Sequence, residues 1–379
     1  MKITFPHMGS LYIPVEALFQ ELGFEVVVPP PCTKRTLELG SRYSPEIACL
    51  PLKVMIGNYL EAAELGADTI AMIGGCGPCR LGYYAEVQRQ ILADLGSTLD
   101  MVVIETPLEN PSRLARDAAK ILGRGKLSRV PRALILAWEK LKACESLEKT
   151  ALRVRPKEEK PGLTTRVLEL ALQKVRQAAA VRTVHKAVQE GIGELWAVQE
   201  KHGRQDPIII GLVGEIYTVF EPFVNLRLEE RLGHLGVEVA RTISLVQWVK
   251  DHVFKGSIGL YRTTHLERSA EGFLSGFVGG HGLETIARSN ELANCGAAGV
   301  VQILPFTCMP EVIAQAILPD VSRAKELPIL SLVVDEHTGE AGFQTRIEAF
   351  VDLLSRKRRE AYRGQTQSLF GSRCGFGQY

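Results

Sequence analysis

The sequence contains no stretch that resembles a membrane span. Its longest uncharged run, residues 292–310, is broken by glycine and proline, and this pattern predicts a loop, a strand and a second loop. The first ten residues, "MKITFPHMGS", lack the continuous apolar region of a signal peptide. We therefore expect a cytoplasmic protein that has no membrane partner.

Charge of either sign is not in large excess. The chain has 45 Lys and Arg against 43 Asp and Glu, which leaves a net charge of +2. So small an imbalance predicts no general attraction to nucleic acid. Residues 111–160 carry fourteen basic side chains against six acidic ones. We interpret this local excess as the solvated face of linking helices rather than as a site for an acidic partner.

The common nucleotide and metal motifs are missing as well. The stretch "GRGKLS" lacks the spacing of a Walker A loop, and "GLVGEI" has too few glycines for a dinucleotide fingerprint. The stretch "DEHTGE" does not have the HExxH order, which argues against the chemistry of zinc proteases. The sequence thus predicts no ATP site of a known kind on this chain.

What the sequence does contain is a regular alternation of apolar strands and amphipathic helices. Strand-like runs such as "FEVVV", "DTIAMI" and "DMVVIE" are separated by helix-like runs that end at glycine. Nearly continuous apolar strands that alternate with helices are typical of a parallel sheet covered on both faces. A second set of such runs begins at "PIIIGLVGEI" and continues through "AGVVQILPF" and "PILSLVVDE".

The fold class predicted from this alternation is α/β, with two Rossmann-like parallel-sheet domains that face a cleft. We place an N-terminal Rossmann-like domain at 1–109 and a helical linking segment, rich in Lys, Arg, Ala and Leu, at 110–205. The C-terminal Rossmann-like domain, with a poorly patterned tail, is placed at 206–379. No internal repeat is obvious, although the two halves share a strand–helix plan.

The cysteines carry the chemistry that is most distinctive. The chain has eight, and in a cytoplasmic protein we expect thiols or metal ligands rather than structural disulfides. Cys76 and Cys79 form the motif "CGPC" between a predicted strand and a predicted helix. Its spacing alone leaves three alternatives open: a thiol–disulfide couple, half of a zinc site, or part of an iron–sulfur site.

Two further cysteines are placed where they can meet this pair. Cys308 follows a buried strand in "LPFTCMPE", and Cys49 opens a helix in "SPEIACLPLK". Ligands of open α/β sheets bind at the carboxyl ends of the strands, so we expect these sulfurs to converge in the cleft. Thiolates drawn from distant segments suit a 4Fe-4S cluster, although a dithiol and zinc stay open at this point.

Several long motifs resemble proteins related to the 2-hydroxyacyl-CoA dehydratases and the CoA-enzyme activase-associated group, which includes the double-cubane-cluster proteins. These motifs are "SPEIACLPLKVMIGNYLEAAELGAD", "GGCGPCRLGYY", "GLVGEIYTVFEPFVN", "LPFTCMPE" and "DEHTGEAG". The likeness runs through both predicted sheet domains and covers most of the chain outside residues 110–203.

The resemblance implies a 4Fe-4S or double-cubane cluster held by Cys49, one or both of Cys76 and Cys79, and Cys308. It also implies an actin-like ATPase on a separate chain, which supplies low-potential electrons, and a homodimer or a heterodimer with a related subunit. The implied activity is an iron–sulfur reductase or dehydratase component acting on a small or CoA-linked substrate. A non-catalytic partner of the activator ATPase and a CGPC thiol oxidoreductase are the alternatives.

Other polar residues and thiols have simpler interpretations. Cys32 is expected to be a half-buried thiol and, less readily, a ligand. Cys144 is expected to pack on a helix, and Cys374 to be a thiol of the C-terminal tail. Cys295 precedes a predicted strand and is expected at the end of that strand opposite to the ligand-binding end. Glu215 and Arg346 are expected in interior ion pairs, and His281 in a turn.

The acidic residues and His337 of "DEHTGE" form either a proton-transfer site or a hydrogen-bonded loop. Lys53 and Arg80 either offset the charge of a thiolate-bound cluster or are merely exposed.

Overall fold

The computed structural model describes residues 1–74, 81–104, 126–199, 207–251 and 264–364. Within these ranges the chain divides into two compact units. Unit 1 comprises Met1–Glu148, Leu168–Ile192 and Ser244–Arg262; unit 2 comprises Lys149–Val167, Gly193–Ile243 and Thr263–Tyr379. No helix in the described part is both long and apolar enough to cross a bilayer.

Unit 1 is built on a four-stranded parallel sheet with the order β2-β1-β3-β4. Its strands are β1 Lys2–Thr4, β2 Glu25–Val26, β3 Thr69–Ile73 and β4 Asp100–Ile104. Between the strands lie helices α1 Tyr12–Glu21, α2 Lys34–Tyr43, α3 Leu50–Glu64 and α4 Leu81–Asp94. Gly23, with φ at +82°, supplies the left-handed turn that leads from α1 into β2.

One core cluster of unit 1 lies between the sheet and α1. Phe5, Phe19 and Phe24 are buried in it, and the ring centroids of Phe19 and Phe24 are 6.2 Å apart in an edge-to-face arrangement. The cluster includes Ala133 of α5, the helix Val130–Val154. This packing anchors β1 and β2 and thereby sets the position of the loops at their carboxyl ends.

Helices α2 and α3 pack backbone against backbone. A Cβ atom added to Gly40 would lie 1.7 Å from the carbonyl oxygen of Lys53, and one added to Gly57 would lie 1.9 Å from that of Thr36. Thr36 also donates from Oγ1 to the buried carboxylate of Glu61 at 2.7 Å. The two glycines therefore fix the distance between α2 and α3, and Cys49 is the N-cap residue of α3.

We expect Gly40→Ala to lower the free energy of unfolding by about 3 kcal/mol or more, because the obstacle is a backbone carbonyl that only a movement of α3 can relieve. Chemical denaturation measures the change. Gly193→Ala is the matched control, since an added Cβ there has no atom within 4 Å. It should stabilise the protein by about 0.5–1 kcal/mol, as alanine does at an unhindered helical position. Equal losses in the two variants would contradict this close approach.

The helical segment contains three long helices, α5 Val130–Val154, α6 Leu163–Gln177 and α7 Val181–Trp196. Within unit 1, Arg176 of α6 donates from Nε and Nη2 to the carboxylate of Glu16 at 2.7 and 2.9 Å. Lys140 of α5 donates to the carbonyl oxygen of Arg176 at 2.7 Å. Helices thus make up most of residues 126–199, whereas the helical linking segment at 110–205 and its boundaries stay a prediction.

Unit 2 has a second four-stranded parallel sheet, with the order β6-β5-β7-β8. Its strands are β5 Ile208–Gly214, β6 Val237–Arg241, β7 Gly299–Pro305 and β8 Ile329–Val334. All seven residues of β7 are buried, as a central parallel strand requires. The helices that follow in chain order are α8 Ile216–Phe220, α9 Leu228–His234, α10 Leu245–Val249 (in unit 1), α11 Thr264–Ser269, α12 Gly282–Asn294, α13 Met309–Lys325 and α14 Glu340–Gly364.

The two sheets have the same strand order, although no repeat is evident in the sequence. In each sheet the third strand of the unit in chain order, β3 or β7, lies beside the first, β1 or β5. The two strands thus have equivalent positions in their sheets, and Cys308 follows β7. The predicted fold class, α/β with two Rossmann-like parallel-sheet units, is confirmed.

Candidate functional site

The CGPC segment itself, with Cys76 and Cys79, lies outside the described residues, as does Arg80. Its flanks are described. Strand β3 ends at Ile73, the backbone N–H of Gly74 donates to the Ile104 carbonyl at 3.0 Å, and α4 begins at Leu81. The described flanks are thus the carboxyl end of β3 and the start of α4.

Cys49 is the N-cap residue of α3. It has extended backbone angles, φ −70° and ψ 154°, with Pro51 in the first turn, and its thiol does not cap the helix. The side chain is buried, and its sulfur contacts the hydroxyl oxygen of Tyr84 in α4. A buried sulfur at the start of a helix lies beside backbone N–H groups that favour a negative charge.

Lys53, one turn further along α3, is not an exposed side chain. It is 2% exposed, and its ammonium group donates to the carbonyl oxygen of Glu46 at 3.1 Å. Of the two interpretations offered for Lys53, simple exposure to solvent is therefore wrong. The bond ties the segment that leads into Cys49 to the first turns of the helix.

Cys308 is the N-cap residue of α13 and repeats the local arrangement of Cys49. It has φ −72° and ψ 100°, Pro310 stands in the first turn, and the thiol does not cap the helix. Thr307, immediately before it, has φ +67°. A left-handed conformation is costly for a β-branched residue, and such strain of about 1–3 kcal/mol is found where a functional group must be held in place. The loop after β7 thus presents Cys308 at a strained turn.

A buried carboxyl group lies one helical turn beyond Cys308. Glu311 is 0% exposed, and Thr285 Oγ1 lies 2.9 and 3.1 Å from its two carboxyl oxygens. Gln302 of β7 donates an amide N–H to it at 2.9 Å, and Ser331 of β8 donates to Gln302 Oε1 at 2.7 Å. Burial raises the pKa of Glu311 from 4.5 to about 7, although the bonds from Gln302 and Thr285 act in the opposite direction.

The loop after β8 is a hydrogen-bonded turn. Asp335 Oδ1 accepts from the backbone N–H of His337 at 2.9 Å and from Thr338 Oγ1 at 2.8 Å, and Thr338 Oγ1 in turn accepts from the Asp335 backbone N–H at 2.8 Å. These bonds are those of an Asx turn that closes the loop before α14. Of the two interpretations of "DEHTGE", the structure therefore contains the hydrogen-bond network.

Two other polar residues have roles different from those expected. Glu215, predicted in an interior ion pair, caps α8 by accepting from the backbone N–H groups of Tyr217 and Thr218 at 3.0 and 2.8 Å. Arg346, predicted in the same way, donates to the Ser331 carbonyl at 2.7 Å. Main-chain groups thus bind both side chains: Glu215 accepts from backbone N–H groups at the start of α8, and Arg346 donates to a carbonyl oxygen of β8.

The remaining described cysteines are not equivalent. Cys144 is buried in α5, and burial raises the pKa of its thiol, which fits a packing role. Cys295 is the C-cap of α12, four residues before β7, so it lies at the amino end of that strand as expected. Cys32 is more buried than predicted, at 8% exposed, and lies beside Asn58 and His7. Cys374 is outside the described residues.

Sequence reasoning did not single out His7, Tyr84 or Glu311. His7 follows a strand, and Tyr84 is one of two adjacent tyrosines, which are weak signals on their own. Glu311 stands at the third position of a helix, where glutamate ordinarily caps the first turn in contact with solvent. No local pattern marks it as a buried group.

Comparison with known families agrees with the resemblance found in the motifs. Residues 7–72 match the family model described as CoA enzyme activase uncharacterised domain (DUF2229). The matched range contains His7, Cys32 and Cys49. No curated protein matches the chain significantly. The match supports the resemblance to the CoA-enzyme activase-associated proteins over residues 7–72, whereas the double-cubane cluster stays a prediction.

Proposed function

We propose that the chain is an iron–sulfur protein that resembles the 2-hydroxyacyl-CoA dehydratase component. It accepts low-potential electrons from a separate ATP-dependent, actin-like activator and uses them to reduce or dehydrate a small or CoA-linked substrate. The ligands proposed for the cluster are Cys49, Cys76, Cys79 and Cys308, with Cys79 favoured over Cys76 as the ligand from the CGPC motif. The match to a CoA enzyme activase domain supports a role beside such an activator.

The observation that carries the proposal is the shared setting of Cys49 and Cys308. Each is the N-cap residue of a helix with proline in the first turn, and neither thiol is used to cap that helix. A thiolate at a helix start is stabilised by the helix dipole and by nearby N–H groups, which also suit the sulfides of a cluster. When bound, the cluster supplies one-electron chemistry at low potential. The protein supplies the thiolates and holds them at the starts of the two helices.

The four proposed ligands match the chemistry of a 4Fe-4S cluster. Thiolate sulfur is the usual protein ligand of a 4Fe-4S cluster, and four thiols are proposed here. Thr307 holds Cys308 in a strained turn, and the buried contact with Tyr84 restricts Cys49. Both described ligands are thus restrained before any cluster is bound, which lowers the entropy lost on binding.

Two alternative functions differ from the main proposal in the iron content and in the cysteines that they require. A cluster-free partner of the activator would bind the ATPase but contain no iron. A CGPC thiol oxidoreductase would need only Cys76 and Cys79 and would not depend on Cys308. A homodimer, or a heterodimer with a related subunit, is part of the main proposal, and light scattering of the purified chain measures it.

We expect the chain purified under strictly anaerobic conditions to contain iron and acid-labile sulfide in equal amounts, at about four of each per cluster. Reduction with a low-potential donor should produce an electron-resonance signal from the cluster. An iron-free protein that still reduces disulfides would contradict the proposal and favour the thiol oxidoreductase. An iron-free protein without that activity, which binds an actin-like ATPase, would favour the binding partner.

A further inference from the structure

A buried imidazole and a buried thiol meet in unit 1 away from Cys49. His7 follows β1 and Cys32 follows β2, so both lie beyond the carboxyl ends of neighbouring strands. They are 7% and 8% exposed, and a ring nitrogen of His7 lies within 4.8 Å of the Cys32 sulfur. This is the edge of a parallel sheet at which ligands bind.

Asn58 of α3 connects the two residues. Its Nδ2 lies 3.5 Å from the Cys32 sulfur and its Oδ1 accepts from the backbone N–H of His7 at 3.3 Å. The side chain is fully buried. The Asn58 amide can donate to a Cys32 thiolate at 3.5 Å, and the Cys32 thiol can donate to Oδ1 at 3.8 Å. Asn58 therefore accommodates both the protonated sulfur and the metal-binding thiolate, and such a hydrogen-bond partner orients a metal ligand.

Both side chains are held by rigid surroundings. Cys32 stands between three consecutive prolines and Thr33, which begins α2 with a reciprocal capping box to Thr36. The ring of His7 is stacked on that of Tyr12, with centroids 5.7 Å apart and planes inclined by 21°. Neither donor therefore has much rotational freedom to lose when it binds a ligand.

We propose that Cys32 and His7 bind a thiophilic divalent cation of the Zn²⁺ type, at a site separate from the proposed iron–sulfur cluster. Thiolate and imidazole are the preferred protein ligands of Zn²⁺. With Zn–S about 2.3 Å and Zn–N about 2.0 Å, a tetrahedral site separates the two donor atoms by about 3.5 Å. The two donor atoms already lie within 4.8 Å of one another, and on binding the thiol proton leaves to solvent.

The position of Asn58 separates this pair from Cys49. The two residues are nine positions apart along α3, an axial rise of about 13 Å. Because Cys32 contacts Asn58, its sulfur belongs to a different part of unit 1 from the sulfur of Cys49. The inference therefore does not depend on the proposed cluster and survives if that cluster is absent.

The test is the zinc content of the full chain, produced in medium supplemented with Zn²⁺ so that the buried site can fill during folding. We expect about one zinc per chain in the unmodified protein. Cys32→Ser and His7→Gln should each lose most of it, whereas Cys144→Ser, which alters another buried thiol of unit 1, should keep it. Circular dichroism confirms that each variant is folded.

A second measurement does not depend on these variants. The Cys49→Ser/Cys308→Ser double variant, loaded with Co²⁺ in place of Zn²⁺, should show tetrahedral visible bands and a sulfur-to-cobalt charge-transfer band. Zinc that persists in Cys32→Ser and His7→Gln overturns the proposal, as does the absence of zinc and cobalt from the unmodified chain. Loss of the cobalt bands in the double variant also overturns it, because the cation then occupies the proposed cluster thiols.

Discussion

Cys308→Ala and Cys49→Ala, purified anaerobically, should each lose most of the bound iron. A cluster that lacks one of three or four thiolate ligands exposes an iron atom to water and becomes labile. The two residues are in different units and share one local arrangement, an N-cap thiol followed by proline in the first turn. Iron and sulfide analysis of the two variants beside the unmodified chain measures the effect.

The control for this experiment is Cys144→Ala. Cys144 is buried in α5, so its truncation leaves a small cavity and costs on the order of 1 kcal/mol of stability without loss of iron.

Comparison of Cys76→Ala with Cys79→Ala identifies the ligand of the CGPC motif, and we expect the larger loss of iron from Cys79→Ala. Full iron in Cys308→Ala, with a dithiol reductase activity abolished in Cys76→Ala and Cys79→Ala, would show that the cluster hypothesis is wrong.

Glu311→Gln should remove a large pH dependence from the stability of the protein. The folded state holds the proton of Glu311 up to about pH 7, whereas the unfolded chain releases it near pH 4.5. Because the folded state binds more protons between these values, the free energy of unfolding falls as the pH rises from about 4.5 to 7, and is unaffected by this group above that range. A pKa raised from 4.5 to about 7 corresponds to a loss of about 3 kcal/mol.

Glutamine cannot ionise, so Glu311→Gln should gain stability relative to the unmodified protein by about 3 kcal/mol between pH 4.5 and pH 8. Urea unfolding at the two pH values measures this difference. Glu348→Gln is the control, because Glu348 is exposed on α14 and accepts a hydrogen bond from the nearby Gln344 amide at 2.8 Å. Parallel pH profiles for Glu311→Gln and the unmodified chain would show that Glu311 is ionised in the fold.

The sequence by itself determined the fold class and the local positions of Cys49 and Cys308 at the starts of two helices. Apolar strands that alternate with amphipathic helices have few arrangements other than covered parallel sheets, because both faces of each strand must be buried. The same local reasoning placed Cys308 just beyond the end of β7. Helix starts are also local, so Cys49 at the beginning of α3 was predictable from the residues around it.

Only the tertiary structure decided which of the distant residues meet. Cys32 and His7 lie 25 positions apart and come together because β1 pairs with β2, and Asn58 reaches both because Gly40 and Gly57 allow α3 to lie directly on α2. Glu311 is buried by Thr285 and Gln302, which belong to α12 and β7. Burial and pairing of this kind depend on strand order and helix packing, and these long-range contacts leave no periodic pattern in the chain.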